Sequence, residues 1–340
     1  MSSSSSLLSS SWNDNDGNNN NISSLGQQSL IRCIPPLSGD NYKGSSGRIG
    51  ILGGSKRYTG APYYAAMASL KVGADLSFVF CAEEAAIPIK CYSPELMVAP
   101  VYQSKEFDTT TTVLPNNEQI MDSNSHAQQL VDDMVHEVTS MMDKLHALVI
   151  GPGLGRCPMV FRAVSRIIQE AQSKHQLPLV LDADALFLLT QPEYWQILTN
   201  DSIVVLTPNA MERKRLDESN VVLPDTCVIL EKGATDKIQP VNQQWQSFHC
   251  QEVGGLKRSG GIGDVLAGTV GTVLAWNNIL TQQGSACKDD VPLACWTACC
   301  FVKRATKVAF GIHQRGMTAP DVLHALGPSI NDMTNNAVNN

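Results

Sequence analysis

The sequence predicts an α/β fold, a three-layer sandwich in which a mainly parallel central sheet is flanked by helices. Two observations carry this reading. From Ile31 onward, short apolar runs that end in Gly, Asp or Asn alternate with helix-length segments, which is the rhythm of βαβ units covered on both faces. No linker-like break divides the chain between about residues 31 and 330, so a single domain accounts for that whole span.

Taken in order, residues 1–30 are more than half Ser and Asn, a composition too polar to offset its own ordering entropy, and form an expected disordered tail. Residues 31–330 are the expected catalytic domain, and residues 331–340 a second disordered tail. Strands are expected at Arg48–Leu52, Asp75–Cys81, Ala147–Ile150, Leu179–Asp182, Ile203–Leu206 and Cys227–Glu231. Helices are expected to begin near Ala61, Met159, Asp184, Ala210 and Gly263, with another over Ala294–Phe310. The polar stretch Thr109–Ser125 reads as a loop insertion.

Charge and composition exclude several partners. The formal charge of −7 comes with no basic cluster, so neither nucleic acid nor an anionic membrane finds a positive field. No apolar run reaches the roughly 18 residues of a bilayer helix. The ten cysteines are scattered without a CxxC pair, which reads as reduced, intracellular packing with no metal-thiolate site. Before Arg32 the tail has no basic residue and carries Asp14 and Asp16, unlike an organelle transit peptide, so a cytoplasmic address is expected.

The most informative segment is Gly254–Asp264, followed by a helical run to Trp276. Glycines let backbone approach a ligand closely, and a helix starting beside Gly263 presents free N–H groups to a phosphate. Asp264 then lies beside that anion hole, where a carboxylate can take the proton of an attacking hydroxyl. A side chain at Gly261 is expected to fill the space reserved for phosphate. The same residues also read as a glycine-rich turn with Asp264 as a helix cap.

Five strand ends carry Gly, Asp, Asn or Lys, the first being Arg48–Gly54, a strand and Gly loop that lead to a helix start at Tyr58–Pro62. Gly151–Gly155 follows one strand. Thr207–Glu212 sets Asn209 and Glu212 three apart, either to hold the water shell of Mg²⁺ or to close a capping box. Glu231–Asp236 offers Lys232 to phosphate charge, or is an ordinary hairpin turn. Asp182 and Asp184 allow one ligand carboxylate and one cap. Such loading of strand ends points to a groove along one edge of the sheet. Neither GxxxxGK[ST] nor GxSxG is present.

Together these segments resemble the ATP-dependent NAD(P)H-hydrate dehydratases of the ribokinase-like superfamily. The matching stretches run in order through Tyr42–Gly44, Gly47–Gly54, Tyr58–Pro62, Lys71–Leu76, Tyr92–Leu96, His146–Arg156, Asp182–Asp184, Leu206–Asn209 and Gly260–Gly268. The resemblance implies a ribokinase-like sandwich and a repair reaction. NADH or NADPH hydrated on its nicotinamide ring, in the S epimer, is phosphorylated by ATP on the ring hydroxyl at C6, then loses phosphate to restore the ring.

It also implies residue roles. Asp264 is the catalytic base. The hydrated dinucleotide touches Gly153, Asn209, Ala210, Met211, Glu212, Arg213, Lys214, Arg215 and Asp264. ATP contacts Lys232, Gly233, Ala234, Thr235 and Asp236, then Gly254, Gly255, Leu256, Lys257, Arg258, Ser259, Gly260, Gly261, Ile262 and Gly263. Mg²⁺ bridges the phosphates, with Asn209 and Glu212 as candidate ligands.

Two departures from the family pattern, Ala234-Thr235 in place of a charged pair and Arg213 in place of an apolar residue, bear on nucleotide affinity and specificity. An epimerase on a separate chain is the expected metabolic companion, and homo-oligomerisation is left open. The alternatives are a small-molecule kinase acting on a sugar or pyrimidine alcohol, and a nucleotide sensor without turnover.

Overall fold

The computed structural model describes residues 27–112 and 120–335. Among these the strands are β1 (Arg48–Leu52), β2 (Leu76–Ala82), β3 (Met97–Tyr102), β4 (Ala147–Ile150), β5 (Leu179–Leu181), β6 (Val204–Leu206), β7 (Cys227–Glu231), β8 (Asp236–Pro240) and β9 (Phe248–Cys250). They form one sheet in the order β3-β2-β1-β4-β5-β6-β7-β8-β9. Pairing is parallel from β3 across to β7, then antiparallel through β8 and β9. The α/β sandwich expected from the alternating runs is the fold observed.

The helices are α1 (Gln27–Arg32), α2 (Gly60–Val72), α3 (Glu83–Tyr92), α4 (Ser104–Thr112), α5 (Ile120–Thr139), α6 (Pro158–Ser173), α7 (Asp184–Leu189), α8 (Ala210–Asp217), α9 (Ile262–Gln282), α10 (Val291–His313) and α11 (Ala319–Asn335). One layer joins α2, α9, α10 and α11, and α4, α5 and α6 pack with one another elsewhere. The central strands β4, β5 and β6 are buried at every residue, as a sheet covered on both faces requires.

Several expectations change. The helix α1 begins inside the stretch read as a disordered tail, and residues 1–26 lie outside the described residues. At the other end α11 runs on through residues 331–335, and 336–340 lie outside the description. The segment read as a loop insertion is largely helical, since α4 and α5 enter it from both sides and only 113–119 fall outside.

The helix that matters most is α9. It is apolar nearly all round, with an unbroken buried run from Val265 to Asn277, so it sits inside the molecule rather than on it. The hydroxyls of its two buried threonines are satisfied within the helix, Thr269 Oγ1 donating to the Val265 carbonyl at 2.8 Å and Thr272 Oγ1 to the Gly268 carbonyl at 3.1 Å, while the Thr281 hydroxyl near its end has no partner. Against α2 the two backbones meet at Gly268, where a Cβ would lie 2.0 Å from the Ala65 carbonyl oxygen.

Gly268→Val is therefore expected to push α9 off α2 and lower stability by about 3 kcal/mol or more, at the upper end of overpacking costs. Urea unfolding of the variant checks this, and a wild-type midpoint would contradict the close approach.

Candidate functional site

The groove predicted from the strand ends exists, and it is built of two neighbouring cavities. The larger, about 950 Å³, is lined by Ser55–Tyr58, Tyr102, Phe107, Gly153–Pro158, Asp184 and Asp264, among others. The smaller, about 560 Å³, is lined by Asn209, Lys232–Ala234, Asp236, Gln251–Ser259, Ile262 and Gly263, with Cys299, Lys303 and Thr306 from α10. The boundary falls between consecutive residues at the start of α9, Gly263 on one side and Asp264 on the other.

The first turn of α9 is set by Gly261, which occupies the cap position at φ 93°, a left-handed conformation natural to glycine. Asp264 is thus the third helical residue rather than the cap. The N–H groups of this turn have no carbonyl partner inside the helix and face outward with the positive end of its dipole. A Cβ on Gly263 would lie 3.6 Å from Lys232 Nζ, so this glycine opens onto the site. The expectation for Gly261 is corrected. Its Cβ would strike Tyr64 and Ala319 at 2.7 Å, against the protein interior rather than in phosphate space.

Charge is concentrated where the loops after β5, β6 and β7 meet this turn. Lys232 Nζ donates to Asp182 Oδ1 at 2.7 Å, and Thr207 Oγ1 donates to the same oxygen at 2.8 Å. Asp182 is only 2% exposed. Burial alone would lower the Lys232 ammonium, but Asp182, Glu212 and Asp264 together hold it above its usual value. For Asp264 the balance runs the other way. Burial first, then the Asp182 and Glu212 charges, outweigh Lys232 and push its carboxyl up to about 7.

Around the smaller cavity, Lys303 Nζ donates to the Gly233 carbonyl at 2.8 Å and the Ala234 carbonyl at 2.6 Å, clamping the turn between β7 and β8. Asp236, 4% exposed, accepts the Gly233 N–H at 2.8 Å. Burial raises the Asp236 carboxyl in spite of Lys303. Glu231–Asp236 is therefore the hairpin turn, one of its two readings, and its Lys232, Gly233, Ala234 and Asp236 line the smaller cavity.

Asn209 and Glu212 form the full capping box of α8. Asn209 Oδ1 accepts from Met211 N at 2.9 Å and Glu212 N at 3.0 Å, while Glu212 Oε2 accepts from Asn209 N at 2.8 Å. Among the described residues no group of three or more His, Cys, Asp or Glu is placed to hold a metal ion. The donor set offers no protein-only cage, and fits at most an ion that arrives on phosphates with its own waters.

Comparisons with known proteins identify the relatives of this chain. The family model described as NAD(P)H-hydrate dehydratase matches residues 49–327. The ATP-dependent (S)-NAD(P)H-hydrate dehydratase of Drosophila pseudoobscura pseudoobscura is 36% identical over 301 residues, 86% of this chain and 88% of that protein. The chain belongs to the NAD(P)H-hydrate dehydratase family. The protein of the same description from Schizosaccharomyces pombe is 35% identical over 319 residues, covering 88% of this chain and 90% of its own length. In fold, this family member is similar to the Bacillus subtilis ADP/ATP-dependent NAD(P)H-hydrate dehydratase co-crystallised with ATP/Mg²⁺, with a TM-score of 0.63 and 18% identity over 90% of this chain and 97% of that one.

Within this dehydratase-family fold, the expected residues separate. Gly153 and Asp264 come together on the larger cavity. Lys232, Gly233, Ala234, Asp236, Gly254 through Ser259, Ile262 and Gly263 come together on the smaller. Asn209 lines the smaller cavity, apart from Gly153 and Asp264, and Ala210 through Arg215 line neither. Thr235, Gly260 and Gly261 also line neither. Asp184 does not cap α7, whose cap position is Ala183; its carboxylate accepts from Gly155 N at 2.9 Å and Arg156 Nε at 3.0 Å.

Residues that were not foreseen include Lys56, Arg57, Tyr102 and Phe107 on the larger cavity and Cys299, Lys303 and Thr306 on the smaller. The Ser55–Tyr58 turn sits between two stretches of the family resemblance and was within reach; α10 carries no local signal.

The Asp264 titration has a consequence for stability. Between its ordinary value of 3.8 and about 7, the folded protein keeps a proton that the unfolded chain has released, so stability falls as pH rises through that window and the loss is complete above it. Asp264→Asn removes this titration. The melting temperature of the variant relative to wild type should rise from pH ~5 to pH ~8, and a constant difference across that range would contradict the raised value.

Proposed function

We propose that this protein is an ATP-dependent (S)-NAD(P)H-hydrate dehydratase, which returns hydrated NADH or NADPH to the working cofactor. The observation that carries this reading is the placement of a half-buried carboxylate, Asp264, at the boundary of two cavities. Each is large enough for a nucleotide-sized ligand. ATP is assigned to the glycine-lined cavity and the hydrated dinucleotide to the larger one, with its ring hydroxyl against Asp264.

In the proposed reaction, ionised Asp264 takes the proton of the C6 hydroxyl as the oxygen attacks the γ-phosphorus of ATP. The O–P bond forms, the bond to the β-phosphate oxygen breaks, and ADP leaves. Backbone N–H groups of the first turn of α9 meet the charge on the transferring phosphoryl group. The C6–O bond then breaks with phosphate as the leaving group, a proton leaves C5, and the ring double bond re-forms. Lys232, held by Asp182, keeps positive charge beside the transfer path. Mg²⁺ bound with ATP would neutralise the phosphates, and of the two expected ligands Asn209, which lines the smaller cavity, would meet its water shell. An epimerase on a separate chain supplies the S epimer, and the reaction is placed in the cytoplasm.

A carboxyl near 7 matches a base working at neutral pH, and kcat/KM should climb with pH through that value. Incubation with ATP, Mg²⁺ and the pure S hydrate should regenerate the near-ultraviolet absorbance of the dihydronicotinamide. A stable phosphorylated product without that absorbance would instead mark a small-molecule kinase. Asp264→Asn is expected to lower kcat by about 10² or more with ATP affinity nearly unchanged. Wild-type turnover in that variant would remove Asp264 from the chemistry.

A further inference from the structure

The larger cavity is lined by three cations, Lys56, Arg57 and Arg156, in a protein whose net charge is −7. Two of them are already compensated. Lys56 pairs with Asp108 across the cavity mouth. Arg156 pairs with Asp184 at 3.0 Å and lies over the Phe187 ring, 4.0 Å from its centroid. The third carboxylate of the lining, Asp264, lies at the start of α9 beside Lys232 and makes no ion pair with Arg57 among the described residues. Arg57 therefore carries the uncompensated charge of this cavity among the described residues.

Its position is fixed by backbone. Ser55 N donates to the Tyr58 carbonyl and Tyr58 N to the Ser55 carbonyl, both at 3.1 Å, so Lys56 and Arg57 form the two-residue tip of a closed turn. The turn rests on the loop after β4. Gly153 leaves no room for a side chain beneath Tyr58, where a Cβ would lie 2.9 Å from Tyr58 Cβ, and Ser55 faces Gly155. Arg57 is thus one residue from Tyr58, which packs on a glycine that shares the cavity with Asp264.

We infer that Arg57 is the residue that binds the diphosphate bridge of the dinucleotide, and so selects dinucleotides over smaller hydrated nicotinamides. This rests on the dehydratase reading of the site. A guanidinium presents paired donors that match phosphate oxygens, and an unpaired one has no salt bridge to break on binding. Tyr58, next to Arg57, packs on Gly153, which lines the same cavity as Asp264; a shared cavity favours the diphosphate, which both cofactors carry, over the phosphate that only NADPH carries.

The test uses full-length wild type, Arg57→Gln and Arg57→Lys. KM for hydrated NADH and hydrated NADPH should both rise about ten- to a hundredfold in Arg57→Gln, with partial recovery in Arg57→Lys. The kcat and the KM for ATP should stay within about threefold of wild type, as for loss of ground-state binding alone. Fluorescence titration with NADH, which needs no turnover, should show the same loss. Unchanged KM for both substrates overturns the inference, as does a rise confined to hydrated NADPH. If wild type regenerates no NADH at all, the dehydratase reading fails, and the NADH titration still decides whether Arg57 binds a dinucleotide.

Discussion

Three carboxylates, Asp182, Glu212 and Asp264, share the field of one half-buried ammonium, Lys232, and the way that charge is divided governs the site. Lys232 bonds directly to Asp182 at 2.7 Å, with Thr207 filling out the same oxygen. Asp264 receives only the remainder, and burial lifts it to about 7. Had the ammonium been bonded to Asp264, that carboxyl would sit low and be a poor base. The pairing with Asp182 leaves it basic enough to take a hydroxyl proton near neutrality, which is the environment-driven separation of roles seen wherever acid and base groups share a cleft. The arrangement costs stability, as functional sites commonly do.

The fold makes this division possible by bringing four separate chain segments to one point. Parallel strands place Asp182, Thr207 and Lys232 at successive strand ends of the same sheet edge. The buried helix α9, drawn against α2 through Gly268, then brings its first turn to that edge. Consecutive residues of the turn face different cavities, so a group moving from one ligand to the other passes the dipole end of a helix that packing holds still.

How much of this was legible in the sequence depended on where each signal resides. The six parallel strands read from apolar runs were found, because strands buried on both faces look like strands without any context. The edge elements were not. In β3 the outer residue Met97 is exposed and Pro100 interrupts the run, and β8 carries Asp236, Lys237 and Gln239 among three buried positions. Pro88 and Pro328 disguised α3 and α11, since proline inside a helix reads as its end. At the site, glycine and acid motifs pointed to residues that line the two cavities, Asp264, Gly153 and most of Gly254–Gly263, though Gly260 and Gly261 line neither. The separation of Asn209 from Gly153 onto different cavities, and the contribution of Lys303 from α10, arise only from tertiary packing, which spacing does not encode.

The central claim is that a phosphoryl group crosses from one cavity to the hydroxyl in the other before that hydroxyl leaves. The measurement that tests it most directly follows the oxygen. With a heavy-oxygen label on the ring hydroxyl of the hydrated NADH, the account predicts that the label appears in inorganic phosphate, one labelled atom per turnover. Label released into water, with unlabelled phosphate, would mean that ATP is cleaved by another route and would contradict the account.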